Sequence, residues 1–256
     1  MPDDRGTSDP SPGACPDKPA LHAVAEQLAQ SYMPAGWQPV KSSVATRVTH
    51  HAALGLYFKE YFARSPAEAL KARLRGSRAQ RARVNADALR YYGIDAPETV
   101  HWGTLSNGNE YLFMRAAAGD TVHRLLTATQ QDLAQRRRLL RDLGTFIGRL
   151  HATGFTHGDL RPGNILAAWC VERYQFTLLD NERNRLQSPP AGRRLLRNLM
   201  QLNMLSPAVL SATDRMRFFV GWRRQMRHLS AAEAKILGRE AYRWAMRRLA
   251  DRQQGK

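Results

Sequence analysis

The stretch "HATGFTHGDLRPGNIL" (His151–Leu166) places a polar loop directly before an apolar run. Because Pro and Gly occur inside this loop, it can fold the side chains of Asp159 and Asn164 toward one point. A second carboxylate, Asp180, ends the strand-like run "YQFTLLD". One carboxylate that accepts a hydroxyl proton, with an amide and a carboxylate that bind Mg²⁺, is a minimal set for phosphoryl transfer. The loop therefore predicts a phosphotransferase site.

Three segments resemble parts of protein kinases. "HGDLRPGN" (157–164) resembles the catalytic loop H-x-D-x-x-x-x-N, and "LLDNE" (178–182) lies where the metal-binding D-F-G occurs. "LGLYFKEY" (54–61) resembles the strand whose Lys binds the ATP phosphates. Together with "SRAQRARVNADALRYYGIDAPE" (77–98), these segments resemble the bacterial lipopolysaccharide kinase family, of the Kdo and heptose kinase type, over about residues 38–185.

The resemblance implies a role for each residue of the loop. Asp159 would be the catalytic base that accepts the sugar hydroxyl proton, and Asn164 and Asp180 would bind Mg²⁺. His157 would brace the catalytic loop. Arg161, two positions after the catalytic Asp, would neutralise charge on the γ-phosphoryl group.

The ATP-binding residues follow from the same resemblance. Lys59 would bind the ATP phosphates, and Asp87 is the candidate for its acidic partner on the following helix. The chain has no G-x-G-x-x-G, so "KSSVAT" (41–46) is expected to cover the phosphates with backbone N–H groups and the hydroxyls of Ser42 and Ser43.

The implied fold class is α+β, a two-lobed protein-kinase-like fold. Residues 1–20 are predicted as a disordered tail, 21–115 as an N-lobe with a small antiparallel sheet and one long helix, and 116–256 as a compact, mostly helical C-lobe with an Arg-rich tail. The hinge is expected near "MRAAAG" (114–119), with ATP between the lobes.

Local patterns predict the elements of these lobes. A helix is expected over Leu21–Tyr32, and strands over "SSVATRVTHH" (42–51) and "ALGLYFKEY" (53–61). "SNGN" (106–109) is typical of a hairpin turn. A long helix before Gly154 is expected to place Leu133, Leu140, Leu143, Ile147 and Leu150 on one buried face.

The charge of the chain indicates anionic partners. Lys and Arg number 39 and Asp and Glu 22, which gives a formal net charge of +17. A lipopolysaccharide core glycolipid is rich in phosphate and carboxylate, and an Arg-rich face would contact it and the anionic membrane around it. No specific nucleic acid is expected. Two Cys and no long apolar run predict a cytoplasmic protein. The resemblance implies that it is peripheral on the inner face of the inner membrane.

Two alternatives are compatible with the same residues. A small-molecule phosphotransferase or a protein kinase has the same loop, although a site for cationic drugs would be acid-lined, and "DNE" after the strand lacks the Phe-based switch of regulated protein kinases. The other alternative is a catalytically inactive kinase-like module that binds polyanions, whose binding would survive the loss of Asp159 and fall with salt.

Overall fold

A computed structural model describes residues 16–62, 76–128, 132–188 and 192–254 of the chain. Its contacts divide the chain into two compact units. The first contains the described residues within Met1–Ala79 and Glu98–Ala116, and the second those within Gln80–Pro97 and Ala117–Lys256. The predicted tail (1–20) falls largely outside the described residues, and the predicted lobe boundaries and hinge stay predictions.

The first unit is a five-stranded antiparallel sheet with one helix. The elements are α1 (Lys18–Ala29), β1 (Trp37–Ser43), β2 (Thr46–His51), β3 (Leu56–Tyr61), β4 (Thr99–Thr104) and β5 (Glu110–Arg115). The strands lie in the order β1-β2-β3-β5-β4. Apolar residues of α1, such as Leu21 and Leu28, pack with Phe58 and Phe113 of the two central strands to form this unit's core.

The predicted hairpin turn is correct, and one predicted strand is wrong in its extent. "SNGN" does join β4 to β5, and Gly108 has the positive φ of 81° that such a turn needs. The stretch 42–51, predicted as one strand, instead contains the turn between β1 and β2. Ser43 accounts for this turn, because its Oγ accepts a hydrogen bond from Ala45 N (3.2 Å) and bonds Thr46 Oγ1 (2.9 Å).

The second unit is mostly helical. Its elements are α2 (Arg78–Tyr91, which begins at the end of the first unit), β6 (Asp120–Thr121), α3 (Val122–Thr127), α4 (Leu133–Ala152), β7 (Phe155–Thr156), β8 (Ile165–Cys170), β9 (Arg173–Leu178), β10 (Arg185–Leu186), α5 (Gly192–Leu202), α6 (Ala212–Gln225) and α7 (Ala231–Gln254). Strands β6, β8 and β9 form one small sheet, and β7 pairs with β10. These small sheets hold the loop of residues 157–164, between β7 and β8, which is named the catalytic loop after the kinase motif that it resembles.

Helix α4 supports this loop from the core of the unit. Leu140, Leu143, Ile147 and Leu150 are buried, as predicted, whereas Leu133 is 65% exposed. Leu133 is the first residue of the helix, where the side chain extends beyond the packed face. Gly154 has a φ of 91°, which confirms the predicted stop just past the helix end.

Residues 63–75 lie outside the described residues, and α2 begins at Arg78. Among the helices that the structure describes, none has the length and hydropathy that a membrane span requires.

Candidate active site

The loop between β7 and β8 is closed by bonds to the backbone of Asp159. Asn164 Nδ2 donates to Asp159 O (2.9 Å), and Arg161 N donates to the same carbonyl (2.8 Å). Pro162–Asn164 forms a single 3₁₀ turn, for which the fixed φ of Pro162 is suited. Because its Nδ2 is used in this closure, Asn164 presents Oδ1 as the atom that could bind a cation.

Asn164 and Asp180 are brought close together by the segment that follows β9. Leu179 N donates to Asn164 O (2.9 Å), so the residue directly before Asp180 is fixed to the catalytic loop. Asp180 itself has φ 56° and ψ 51°, the left-handed region. A non-glycine residue there costs on the order of 1 kcal/mol, and such strain is concentrated at functional sites. The predicted pair therefore lies at one place in the second unit.

His157 joins the loop to the segment after β9, and its contacts define its tautomer. Asp159 N donates to His157 Nδ1 (3.1 Å), so the proton is on Nε2, which donates to Leu179 O (2.8 Å). Burial lowers the pKa of His157, against the opposing effects of the bond to Leu179 and the charges of Asp180 and Asp159. His157 is therefore a neutral structural link between Asp159 and the segment that carries Asp180.

The Asp159 carboxylate is oriented by two donors on the same oxygen. Gln201 Nε2 donates to Asp159 Oδ1 (2.9 Å), and Arg161 Nε lies 2.8 Å from it. The bonds described to this carboxylate all involve Oδ1, so Oδ2 is the atom that could accept a proton. Arg161 pairs with Asp159, and it is exposed, so it is also accessible to a phosphoryl group.

Two residues of α5 that the sequence analysis did not identify fix the loop backbone. Asn198 Oδ1 accepts from His157 N (2.9 Å), and Asn198 Nδ2 donates to His157 O (2.7 Å). Gln201 Oε1 accepts from Leu160 N (3.0 Å). Both side chains are buried. Their signal in the sequence is two amides three residues apart in the apolar stretch "LLRNLMQL", where unpaired polar groups would be costly.

Behind Asn198 the polar chain continues into the core. His151 Nε2 lies 3.2 Å from Asn198 Oδ1, and Trp222 Nε1 donates to His151 Nδ1 (3.0 Å). Because the indole only donates, His151 must carry its proton on Nε2 and donate it to Asn198. Burial lowers the pKa of His151 to about 4, although the bond to Asn198 opposes this shift. A neutral His151 thus connects α4, α5 and α6 behind the catalytic loop.

This buried imidazole predicts a loss of stability at acid pH. The pKa of His151 is lower when folded, so its contribution is complete above about pH 6.5 and decreases as pH falls toward 4. We expect the free energy of unfolding to fall between pH 7 and 4.5 by about 2 kcal/mol more in the wild type than in His151→Gln. Urea unfolding of both proteins at the two pH values measures this difference. An equal fall in both would contradict a neutral His151.

The segment after Asp180 is anchored by further amides. Asn181 Nδ2 donates to Leu178 O (2.8 Å), Asn184 Nδ2 donates to Asn181 Oδ1 (2.9 Å), and Asn184 Oδ1 accepts from Gly158 N (3.3 Å). Position 158 must be glycine, because a Cβ there would lie 2.1 Å from Arg183 Cβ. Gly158, a residue of the H-G-D motif, therefore permits the close packing of the catalytic loop on the segment that follows Asp180.

The predicted phosphate-binding residues lie in the first unit. Lys59, on β3, pairs in register with Leu112 of β5 and Val48 of β2, and its Nζ lies 5.2 Å from the centre of the Tyr61 ring. Ser42 and Ser43 are the last two residues of β1, beside the turn to β2, and Ser42 Oγ accepts from Val48 N (2.9 Å). Their roles toward ATP stay predictions.

Asp87 lies on α2 and contacts a residue of its own helix. Its Oδ2 lies 3.7 Å from Arg83 Nη1, and the carboxylate is half-exposed. The described ion pair of Asp87 is thus with Arg83. The assignment of Asp87 as the acidic partner of Lys59 stays a prediction.

The donor set of the second unit fits a hard cation. An amide oxygen from Asn164 and a carboxylate from Asp180 are oxygen ligands of the kind that Mg²⁺ binds, and Mg²⁺ keeps several waters when the protein provides only one or two ligands. Within the described ranges there is no cluster of three or more His, Cys, Asp or Glu side chains. These two residues would hold the metal, which would neutralise phosphate charge.

Comparison with known proteins agrees with this geometry. The sequence profile of the lipopolysaccharide kinase (Kdo/WaaP) family matches residues 36–221. The chain belongs to this family. The matched range includes the whole catalytic loop, Asp180 and the helix that carries Asn198 and Gln201. It confirms the resemblance found in the sequence and extends it beyond residue 185. A comparison with curated proteins gave no significant match.

One solved structure confirms the predicted kinase-like fold. The structure described as WaaP in complex with acyl carrier protein has a TM-score of 0.54 at 14% identity, over 81% of this chain and 88% of that chain. A co-crystal structure of WbdD with the kinase inhibitor LY294002 has a TM-score of 0.49 at 19% identity, over 81% of this chain and 45% of that chain. This lipopolysaccharide kinase family member therefore has an α+β fold with an antiparallel-sheet unit and a helical unit.

Proposed function

We propose that this lipopolysaccharide kinase family member transfers the γ-phosphate of ATP to a sugar hydroxyl, Kdo or heptose, of the lipopolysaccharide inner core. The observation that carries the proposal is the bond from Leu179 N to Asn164 O, because it fixes the residue next to Asp180 to the backbone of Asn164, in the loop that carries Asp159. Phosphoryl transfer requires a base, a pair of metal ligands and a backbone that holds these groups in fixed positions.

In the proposed reaction, Asp159 Oδ2 accepts the proton of the acceptor hydroxyl while the oxygen of that hydroxyl bonds to the γ-phosphorus. The bond from that phosphorus to the bridging oxygen of ADP breaks, and the negative charge remains on ADP. Gln201 and Arg161 hold Oδ1, which keeps Oδ2 toward the acceptor. Arg161 also lies where it can neutralise charge on the transferred group.

The remaining roles come from the family resemblance. Asn164 and Asp180 would hold Mg²⁺, which supplies charge neutralisation when it is bound. Lys59 would bind the ATP phosphates, with Ser42 and Ser43 beside them and Asp87 as the acidic partner of Lys59. The enzyme would contact anionic lipid on the cytoplasmic side of the membrane through its arginines.

Incubation with radiolabelled Mg-ATP and a panel of acceptors tests this function. We expect the label to enter glycolipids that end in Kdo or heptose, and not free sugars, aminoglycosides, choline or protein, because the basic chain favours an anionic acceptor. Omission of Mg²⁺ should abolish the transfer.

The panel also separates the alternatives. Label in a soluble sugar or a protein, with none in glycolipid, would identify a kinase of another substrate class. Binding of glycolipid without any binding of Mg-ATP would identify an inactive polyanion-binding module.

A further inference from the structure

Two adjoining grooves in the second unit are lined by arginine next to Asp159. The larger groove, of about 600 Å³, is lined by five arginines, which are Arg183, Arg193, Arg194, Arg197 and Arg248. The smaller groove, of about 130 Å³, contains Asp159 and adds Arg161 and Arg252. Gly158, Arg183, Arg197, Met200 and Arg248 belong to both linings, so the two grooves are continuous.

The arginines on α5 lie on the same helical face as Gln201, which contacts the Asp159 carboxylate. Arg197 precedes Gln201 by four residues and Arg194 by seven, spacings that place side chains on one face of a helix. At 1.5 Å per residue, Arg197 and Arg194 lie about 6 Å and about 10 Å along the axis from Gln201. Two cations therefore form a row that ends at the catalytic loop.

Helix α7 supplies a second, facing row. Arg248 and Arg252 are four residues apart and share one face. The Arg248 guanidinium lies 5.8 Å from the centre of the Trp244 ring, and Trp244 lines the larger groove. This contact with the ring favours a fixed position for the cation.

The cations of the grooves are scarcely neutralised by the protein. No Asp or Glu lines the larger groove, and Asp159 is the one acidic residue of the smaller. In the part of the chain that the structure describes, no ion pair joins Arg193, Arg194, Arg197 or Arg252 to a carboxylate. Arginines that only balanced local acids would be paired, so this set is arranged for an external anion.

We infer that these grooves bind phosphate or carboxylate groups of the acceptor glycolipid, and that Arg194 and Arg197 determine its position relative to Asp159. The inference rests on the proposed function and adds to it the residues that recognise the acceptor. An acceptor anion on Arg197 or Arg194 would lie about 6–10 Å along α5 from the loop that receives its hydroxyl. Guanidinium groups bind such anions in bidentate geometry, which fixes orientation as well as affinity.

The double variant Arg194→Gln/Arg197→Gln tests this inference against a control of equal charge. The control is Arg224→Gln/Arg247→Gln, which also removes two exposed arginines of the helical tail that line neither groove. With detergent-dispersed lipid A–core acceptor, we expect kcat/KM for the acceptor to fall about thirtyfold or more in the groove variant, mainly through KM, and about twofold in the control. The KM for ATP should stay unchanged in both.

Two further measurements identify which anion the grooves bind. With an acceptor from which the phosphates have been removed, the gap between wild type and groove variant should shrink. With vesicles of anionic phospholipid that lack glycolipid, both variants should lose the same affinity, since each has lost two charges.

The outcomes separate the two proposals. Equal losses in the groove variant and the control would overturn the groove assignment, as would a selective loss of vesicle binding with unchanged acceptor kinetics. A wild type that binds Mg-ATP but labels no glycolipid would overturn the proposed function, and the groove assignment with it.

Discussion

Replacement of Asp159 by Asn is expected to reduce phosphate transfer to the acceptor by about a thousandfold, within the range found when a general base is removed. The amide oxygen of Asn can still accept hydrogen bonds from Gln201 and Arg161, so the loop should keep its shape. What the variant loses is the group that accepts the hydroxyl proton. The measurement is the rate of label transfer to glycolipid at saturating Mg-ATP.

Asp95→Asn is the matched control for this prediction. Asp95 is an exposed residue of the same unit, whose described hydrogen bond uses its backbone carbonyl rather than its carboxylate. The transfer rate of Asp95→Asn should equal that of the wild type. Asp159→Asn should still bind Mg-ATP, because its Asn164 and Asp180 are unchanged. Transfer at more than about a tenth of the wild-type rate would show that Asp159 is not the base.

The largest expected effect on stability comes from Asn198→Leu. This change leaves the N–H and C=O of His157 and the Nε2–H of His151 without their partner in a buried region. Buried polar groups that lose a partner pay their full desolvation cost. We expect the free energy of unfolding to fall by about 3–5 kcal/mol, as measured by urea denaturation.

Asn203→Leu provides the comparison on the same part of the chain. Asn203 donates to Leu199 O (2.8 Å) and accepts from Arg215 (2.6 Å), but it is only half-buried, so water can replace these bonds. Asn203→Leu should lower the free energy of unfolding by about 1 kcal/mol. If the two variants unfold at the same urea concentration, the Asn198 network does not stabilise the fold in the way the geometry indicates. At temperatures where Asn198→Leu stays folded, its transfer rate should still be reduced, because His157 and the loop backbone have lost their support.

Short-range patterns were sufficient for several local elements of the fold. The turn "SNGN", the stop at Gly154 and the strand that ends before Asp180 are each decided by a few neighbouring residues, and the structure has all three. The same reasoning was wrong where a side chain redirects the backbone. Ser43 forms local bonds that turn the chain inside the predicted strand 42–51, and Leu133 lies too close to its helix start to be buried.

Long-range contacts were not predictable from such patterns. Asn198 and Gln201 lie about forty residues beyond the loop that they hold, and their amides could equally have been helix-surface residues. The groove likewise depends on which face of α5 meets which face of α7, since arginine is spread over the whole helical tail. Net charge indicated an anionic partner without indicating where it binds.

The sequence by itself determined the family of this protein and the residues proposed for its chemistry, because Asp159, Asn164 and Asp180 lie within one loop and at one strand end, where local geometry is almost fixed. Only the tertiary structure decided which side chains position these residues and which side chains line the grooves beside them. The buried amides, the neutral His151 and the arginine rows come from separate helices, and their packing selects which of many similar polar residues face the site.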